Sequence, residues 1–270
     1  MAECHARMLY NLIKVWPGMP VTEQGEKMRP RPVHLICALF LVIGAVGFFI
    51  STISAKATSS LASSVTWTDD FNSTSLDSRW FWIREDPDYW SLTTQPGFLQ
   101  ITTQSTFSQL KNLLVQNMPT GDYEVQTRVL FTPTEDYQMA GLAVVQDDNN
   151  YLTLSRVYCD RTPPDCVGNG IYFLQFEGGA FVGNTFAMTT TVPGEAYLKL
   201  LRTGNVYTGY FSTDGTIWTL VGVHTINFTP TMIGLGASNQ IQGVTEIPAG
   251  FDFFTLIDNG FHLYLPLILK

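Results

Sequence analysis

The chain has 270 residues, 45% hydrophobic and 13% aromatic but only 14% charged, with 22 Gly, 14 Pro and a formal net charge of −8. So much apolar content excludes a disordered chain, and the acidic balance excludes a nucleic-acid partner, because no basic surface is there to displace counterions from phosphates. Few charges beside many Tyr, Phe, Thr and Gly lean toward an exported all-β domain.

Residues 1–57 stand apart. The stretch from Leu35 to Ile50, LICALFLVIGAVGFFI, has no charge and follows Arg29 and Arg31, and Ala55-Lys56-Ala57 then places small residues at the spacing a signal peptidase reads. Two readings fit, a cleaved export signal and a retained membrane anchor, since the run is long for the first and short for the second. Met28 opens the compact cationic stretch MRPRP, which makes it a candidate for the true initiator. The segment holds six Lys or Arg against three Glu, a net of +3, so the remainder carries −11. That balance disfavours anionic membranes and polyanions and tolerates a neutral partner such as a glycan. Residues 58–64 read as a linker, and the protein is expected outside the cell, secreted or tethered.

From Val65 the chain reads as successive strands: 65–71, 98–103, 112–116, 123–131, 139–146, 151–158, 171–176, 197–202, 206–212, 217–223, 232–237 and 251–257. No comparable amphipathic helix interrupts them. Between the first two lies the densest aromatic and polar cluster, Trp80-Phe81-Trp82-Ile83-Arg84-Glu85-Asp86 with Tyr89 and Trp90. If it is extended, Trp80 and Trp82 share a face that Arg84 continues. Such a face meets the needs of a sugar, whose C–H surface stacks on aromatic rings and whose hydroxyls seek planar polar groups. The bland reading has the Trp residues filling the gap between two sheets; Arg84 must then pair with a carboxylate, since a lone buried guanidinium is costly.

Further along, Tyr123, Val125, Thr127, Val129 and Phe131 alternate with Glu124, Gln126, Arg128 and Leu130, the period of a half-buried strand. Tyr137 and Gln138 precede Ala140-Gly141-Leu142, and Asp147-Asp148-Asn149-Asn150 turns into the next strand. There Leu152, Leu154, Arg156 and Tyr158 fall on one face, which starts apolar and ends polar. Beside Arg84 that polar end makes a shallow glycan site; the plain alternative is a structural ion pair at Arg156. Cys159 and Cys166 flank the loop DRTPPD and are read as a local disulfide staple, against a pair of free thiols. Zinc is poorly served, because His224 and His262 have no Cys or His partner at ligand spacing. Asp214-Gly215 marks a hairpin. About a dozen antiparallel strands with polar turns make a single all-β, two-sheet sandwich or jelly roll over residues 65–258. The tail 259–270, ending in HLYLPLILK, is too short to span a bilayer and reads as an edge strand or as a Leu-Pro tail of an exported protein.

TWTDDFNSTSLDSRWFWIRED (66–86), WSLTTQPGFLQITT (90–103), MAGLAVVQDDNNYLTLSR (139–156) and YLKLLRTGNVYTGYFSTDGTIWTLVG (197–222) precede IGLGAS (233–238) and AGFDFF (249–254). Together they resemble the concanavalin A-like, laminin G-like sandwich at the C-terminus of glycoside hydrolase family 43 β-xylosidases, over roughly residues 65–258. The resemblance implies an appendage that helps close the active site of a separate five-bladed propeller, and here it occupies almost the whole exported chain, so the accessory part is expected without the catalytic one. It also implies no required cofactor beyond a structural calcium tying first and last strands, for which Asp70 (or Asp69) and Asp252 are the candidates.

Catalysis is not expected from the residues either. The Glu-x-Asp-x-x-Glu pattern of catalytic sandwiches is absent, Glu85 and Asp86 point to opposite faces of an extended segment, and no Ser-His-Asp constellation exists. The expectation is a non-catalytic carbohydrate-binding or glycosidase-accessory module. Its site residues are Trp82, Arg84, Tyr137, Gln138, Arg156 and Tyr158, and its partner is a neutral, xylan-type polysaccharide or oligosaccharide, or a separate glycosidase. The alternative is a cell-surface structural or protein-interaction domain; a glycoside hydrolase stands third.

Overall fold

A computed structural model describes residues 64–105, 109–160, 166–189 and 194–260. The candidate signal or anchor and all but Asn259 and Gly260 of the tail lie outside the described residues. Among the described residues no helix is long and apolar enough to cross a membrane. The elements are β1 Val65–Asp69, β2 Phe81–Ile83, a 3-10 turn at Pro87–Tyr89, β3 Trp90–Ser91, β4 Leu99–Thr102, β5 Gln104–Ser105, β6 Leu113–Asn117, β7 Tyr123–Leu130, β8 Gln138–Asp147, β9 Asn150–Cys159, β10 Gly168–Glu177, β11 Ala180–Thr189, β12 Glu195–Thr203, β13 Val206–Ser212, β14 Thr219–Thr225, β15 Met232–Asn239 and β16 Pro248–Asp258.

They form the expected two-sheet sandwich. The first sheet runs β14-β13-β12-β7-β16-β4-β3, with β1 also on β16; the second runs β11-β10-β9-β8-β15-β6-β2, with β5 beside β15. Pairing is antiparallel except at β5, which joins β15 in parallel. β16 is long enough to hold β7 along one edge and, along the other, β4 on Pro248–Phe251 and β1 on Phe254–Asp258.

The two-residue alternation decides what lies between the sheets. Tyr123, Val125, Thr127, Val129 and Phe131 are buried, and their even-numbered neighbours only half so. Facing them from the second sheet are Ala140, Leu142, Val144, Leu152, Leu154, Ile171, Phe173, Ile233 and Leu235, which share one core with Leu198, Phe251 and Phe254. At one end of this core Trp80 lies 5.5 Å from the Trp67 ring and 5.0 Å from Phe254, and its indole N–H donates to Asp69 Oδ2 at 2.8 Å. The bland reading of Trp80 as core is therefore the one the fold adopts.

Four strands escape the pattern reading. β2, β3 and β5 have two or three residues each, too few for a period to register. β11 is long, but Gly183 at φ +77° breaks its alternation opposite a register shift between Phe173 and Gln175 of β10. The strand expected from Ile217 begins at Thr219, because Asp214 Oδ1 takes the amides of Thr216 and Ile217 at 2.8 and 2.9 Å and holds them in the turn. The Cys159–Cys166 disulfide is present and packs with Met139, Val157 and Tyr172.

Two glycines set how closely the strands of the second sheet approach. A Cβ on Gly234 would sit 1.9 Å from the Leu114 carbonyl oxygen, and one on Gly141 would sit 2.3 Å from that of Leu154. Backbone cannot yield as a side chain does, so Gly234→Ala is expected to cost about 3 kcal/mol or more in chemical denaturation. A loss below about 1 kcal/mol would mean the strands separate freely there.

Candidate ligand-binding site

The sequence-predicted site residues do not converge. Trp82 is half-buried, pairs with Leu114, packs against the core that also holds Trp80, and lies 5.0 Å from the tilted ring of Trp90, closing the edge between β2 and β3. Arg84 does not continue that face: at φ +50° the backbone turns left-handed just past β2 and carries the side chain away. Its guanidinium grips Asp148 through both Nη atoms, one at 2.7 Å from Oδ1, and also donates to the Leu110 carbonyl at 2.7 Å. The carboxylate partner is thus met within the chain.

Gln138 is fully buried rather than surface-facing; its Oε1 accepts from the amides of Thr134 and Glu135 at 2.7 and 3.0 Å, and its Nε2 donates to the Thr245 carbonyl. Tyr137, at φ +67°, donates its amide to the Tyr158 carbonyl at 2.8 Å. Leu152, Leu154 and Arg156 do share a face, but it is the face between the sheets: Arg156 is fully buried and donates to the Glu195 carbonyl at 3.2 Å. Burial pulls its pKa down from the free value, whereas the Asp160 charge chiefly raises that of the Tyr158 phenol. Asp148 lies in the turn before β9 and Arg156 toward that strand's other end, about 20 Å or more away at strand rise. One shallow site joining Arg84 to Arg156 is therefore not formed.

Calcium does not fit the donors either. Asp252 sits in the β16 bulge and pairs with Arg128 at 2.9 Å, Asp69 serves Trp80, and Asp70 accepts the Asn72 amide. Among the described residues no three His, Cys, Asp or Glu side chains converge.

What the strands do bring together lies on the outward face of the second sheet. Met232, Val145, Tyr151, Phe176 and Phe181 pair across the sheet in one apolar row. The next two rows carry Gly234, Ala143 and Thr153, then Gly236, Gly141 and Ser155; Ser238, Met139 and Val157 follow. Small residues between larger ones leave a shallow trough of about 50 Å³, partly open to solvent. Tyr151, Thr153, Ser155, Ser238, Gln240 and Lys111 line it. The Thr153 hydroxyl is buried there without a hydrogen-bond partner, the sort of group that a ligand satisfies.

One end of the trough is built from crossing loops. Asp148 Oδ1 accepts the Leu110 amide at 3.0 Å, and Asp86 binds Gln104 Nε2 at 2.9 Å and Lys111 Nζ at 3.0 Å, bonds that hold its carboxyl below the ordinary value. Asn112, in left-handed backbone at φ +51°, accepts the Asp86 amide at 3.0 Å. Arg84 and Asp148 therefore fix the wall rather than touch the floor. The signal for the floor was present in the sequence as small residues at alternate positions 141 and 143, 153 and 155, and 234, 236 and 238.

Residues 68–256 match the family model of the β-xylosidase C-terminal concanavalin A-like domain. The chain belongs to this family. Solved structures with the same fold include the GH43 BlXynB protein from Bacillus licheniformis, at 24% identity and a TM-score of 0.62, over 71% of this chain and 39% of that one. The xylan β-1,4-xylosidase from Bacillus halodurans C-125 matches at 24% identity and a TM-score of 0.58, over 70% of this chain and 38% of that one. Bacteroides ovatus xyloglucan PUL GH43B matches at 23% and 0.60, over 70% and 38%. The chain thus spans well under half the length of these proteins, and within the family it corresponds to the C-terminal domain. No curated protein matches it.

A positioning role for Arg84 has a thermodynamic signature. In a double-mutant cycle of Arg84→Ala and Asp148→Ala, coupling of about 0.5 kcal/mol is expected, small because the Arg84 side chain is 40% exposed. Zero coupling would remove the ion pair from the wall.

Proposed function

We propose that this chain is an exported or membrane-tethered, non-catalytic accessory module that holds a neutral, xylan-type polysaccharide in the trough of its second sheet. The observation that carries the reading is the buried, unpartnered Thr153 hydroxyl facing a floor of Gly, Ala and Ser, with the Tyr151 ring beside it. A narrow floor admits a flat sugar ring, and a dry hydroxyl rewards a ligand that brings a hydroxyl of its own. The carboxylates at the trough's end, Asp86 and Asp148, are engaged by Gln104, Lys111, Arg84 and the Leu110 amide and do not line the floor, an arrangement that favours a structural role over the paired acid and nucleophile of glycoside hydrolysis. Family membership and neighbours named as xylosidases support the sugar class. A separate glycosidase as partner is favoured by one specific feature: Phe81 and Phe181 stand 40% and 43% exposed on opposite edge strands of the same sheet, where a catalytic domain would cover them.

Calorimetry of the full chain against xylan, arabinan, β-glucan and their oligosaccharides tests this. Xylo-oligosaccharides should bind, and Thr153→Val should weaken them about fivefold, the equivalent of roughly 1 kcal/mol for one hydrogen bond. Trp82→Ala should lower stability and leave affinity unchanged. No binding to any glycan would transfer the proposal to a protein-interaction face.

A further inference from the structure

A second pocket opens at the far edge of the sandwich, where the last strands of the two sheets, β11 and β14, face each other. It offers about 320 Å³, open to solvent on one side, and is lined by Gln175, Glu177, Val182, Gly183, Phe186 and His224, among others. His224 is only 3% exposed, between the rings of Phe173 at 4.5 Å and Phe186 at 5.0 Å, both edge-on. Its Nε2 lies 3.0 Å from the Phe173 carbonyl oxygen, which can only accept, so Nε2 carries the proton. Burial pulls the pKa of the ring down, which keeps it neutral and leaves Nδ1 a bare acceptor.

The neighbours repeat that polarity. Gln175 spends its amide N–H groups on Glu177 Oε1 at 2.7 Å and the Thr225 carbonyl at 3.4 Å, which turns Oε1 toward the pocket. Glu177 takes the Asn227 amide at 3.1 Å on Oε1, while Oε2 has only a long contact of 3.5 Å to Asn227 Nδ2. Gly183 keeps the approach clear: at φ +77° it has no side chain, and a Cβ there would lie 3.7 Å from His224 Nδ1 and 3.9 Å from Gln175 Oε1. The register shift between Phe173 and Gln175 bends β10 at the same level.

Nδ1, Gln175 Oε1 and Glu177 Oε2 are three acceptors in one pocket beside an apolar wall of Val182, Phe186 and Val223. We propose that this pocket is a second binding site, separate from the trough, for a ligand that presents adjacent hydrogen-bond donors. Two sources share that chemistry, a vicinal pair of sugar hydroxyls and a primary ammonium group. An anion is repelled by Glu177.

The test follows the His224 ring nitrogens by NMR in the full chain during separate titrations with xylose and with methylammonium. A saturable shift of the Nδ1 resonance with either probe supports the site, and the probe that gives it names the source. Glu177→Gln should weaken methylammonium binding at least tenfold and xylose binding less. Gly183→Ala should block both; because that variant carries backbone strain, Glu177→Gln is the decisive one for the ammonium and Val223→Trp, filling the mouth from exposed β14, for xylose. Thr153→Val should leave this shift unchanged, so that the trough and this pocket fail or succeed apart. No saturable shift with either probe, or a shift indifferent to the pocket variants, overturns the proposal.

Discussion

Two sheets can share one core only if each strand delivers every second side chain to the gap, and β16 carries the heaviest part of that requirement. It pairs with β7, β4 and β1, and it sends Ala249, Phe251, Phe254 and Leu256 into the core despite a bulge at Asp252. The bulge keeps the inward series in step on both sides of the irregularity, and Arg128 ties the extra residue down through Asp252 while holding Glu195 of β12 with its other Nη. With that sheet fixed, the second sheet has a surface to pack on, and its own outward face becomes free to take a shape dictated by residue size. Where glycines let the backbones close up, a trough results.

The polar groups drawn inside explain why the most conspicuous residues are not the working ones. Gln138 and Arg156 are buried because loops and strand ends need their carbonyls and amides satisfied, and a long side chain reaching inward does this where backbone partners run out. Trp80 and Trp82 fill the end of the core and its edge. Two of the groups left with hydrogen-bonding capacity at a pocket are plainer: the Thr153 hydroxyl in the trough and, with Nε2 committed to the Phe173 carbonyl, the Nδ1 of His224 in the edge pocket. Neither belongs to a recognisable motif.

Fold class was legible because alternation is a local property. The positions from Tyr123 to Phe131 announce their buried side whatever they pack on, and the Asp-Gly turn announces its hairpin. The site was much less so. The expected face of Trp80, Trp82 and Arg84 holds for the two tryptophans and fails at Arg84, since a single left-handed residue ends the alternation and no pattern marks it beforehand. Arg156 lies on the expected face, but alternation cannot say whether that face looks inward or outward. The trough depends on Gly236, Gly141 and Ser155 lying side by side on three strands, with Gly234, Ala143 and Thr153 in the next row, a relation set by register, which only the assembled sheet supplies.

The central claim is that the outward face of the second sheet is the ligand-bearing surface. A crystal structure of the protein grown with a xylo-oligosaccharide tests it most directly. The account predicts a sugar ring lying across Gly141 and Gly236 with a hydroxyl within hydrogen-bond distance of Thr153 Oγ1. A sugar seated against Trp82 and Trp90, with the trough empty, would contradict it.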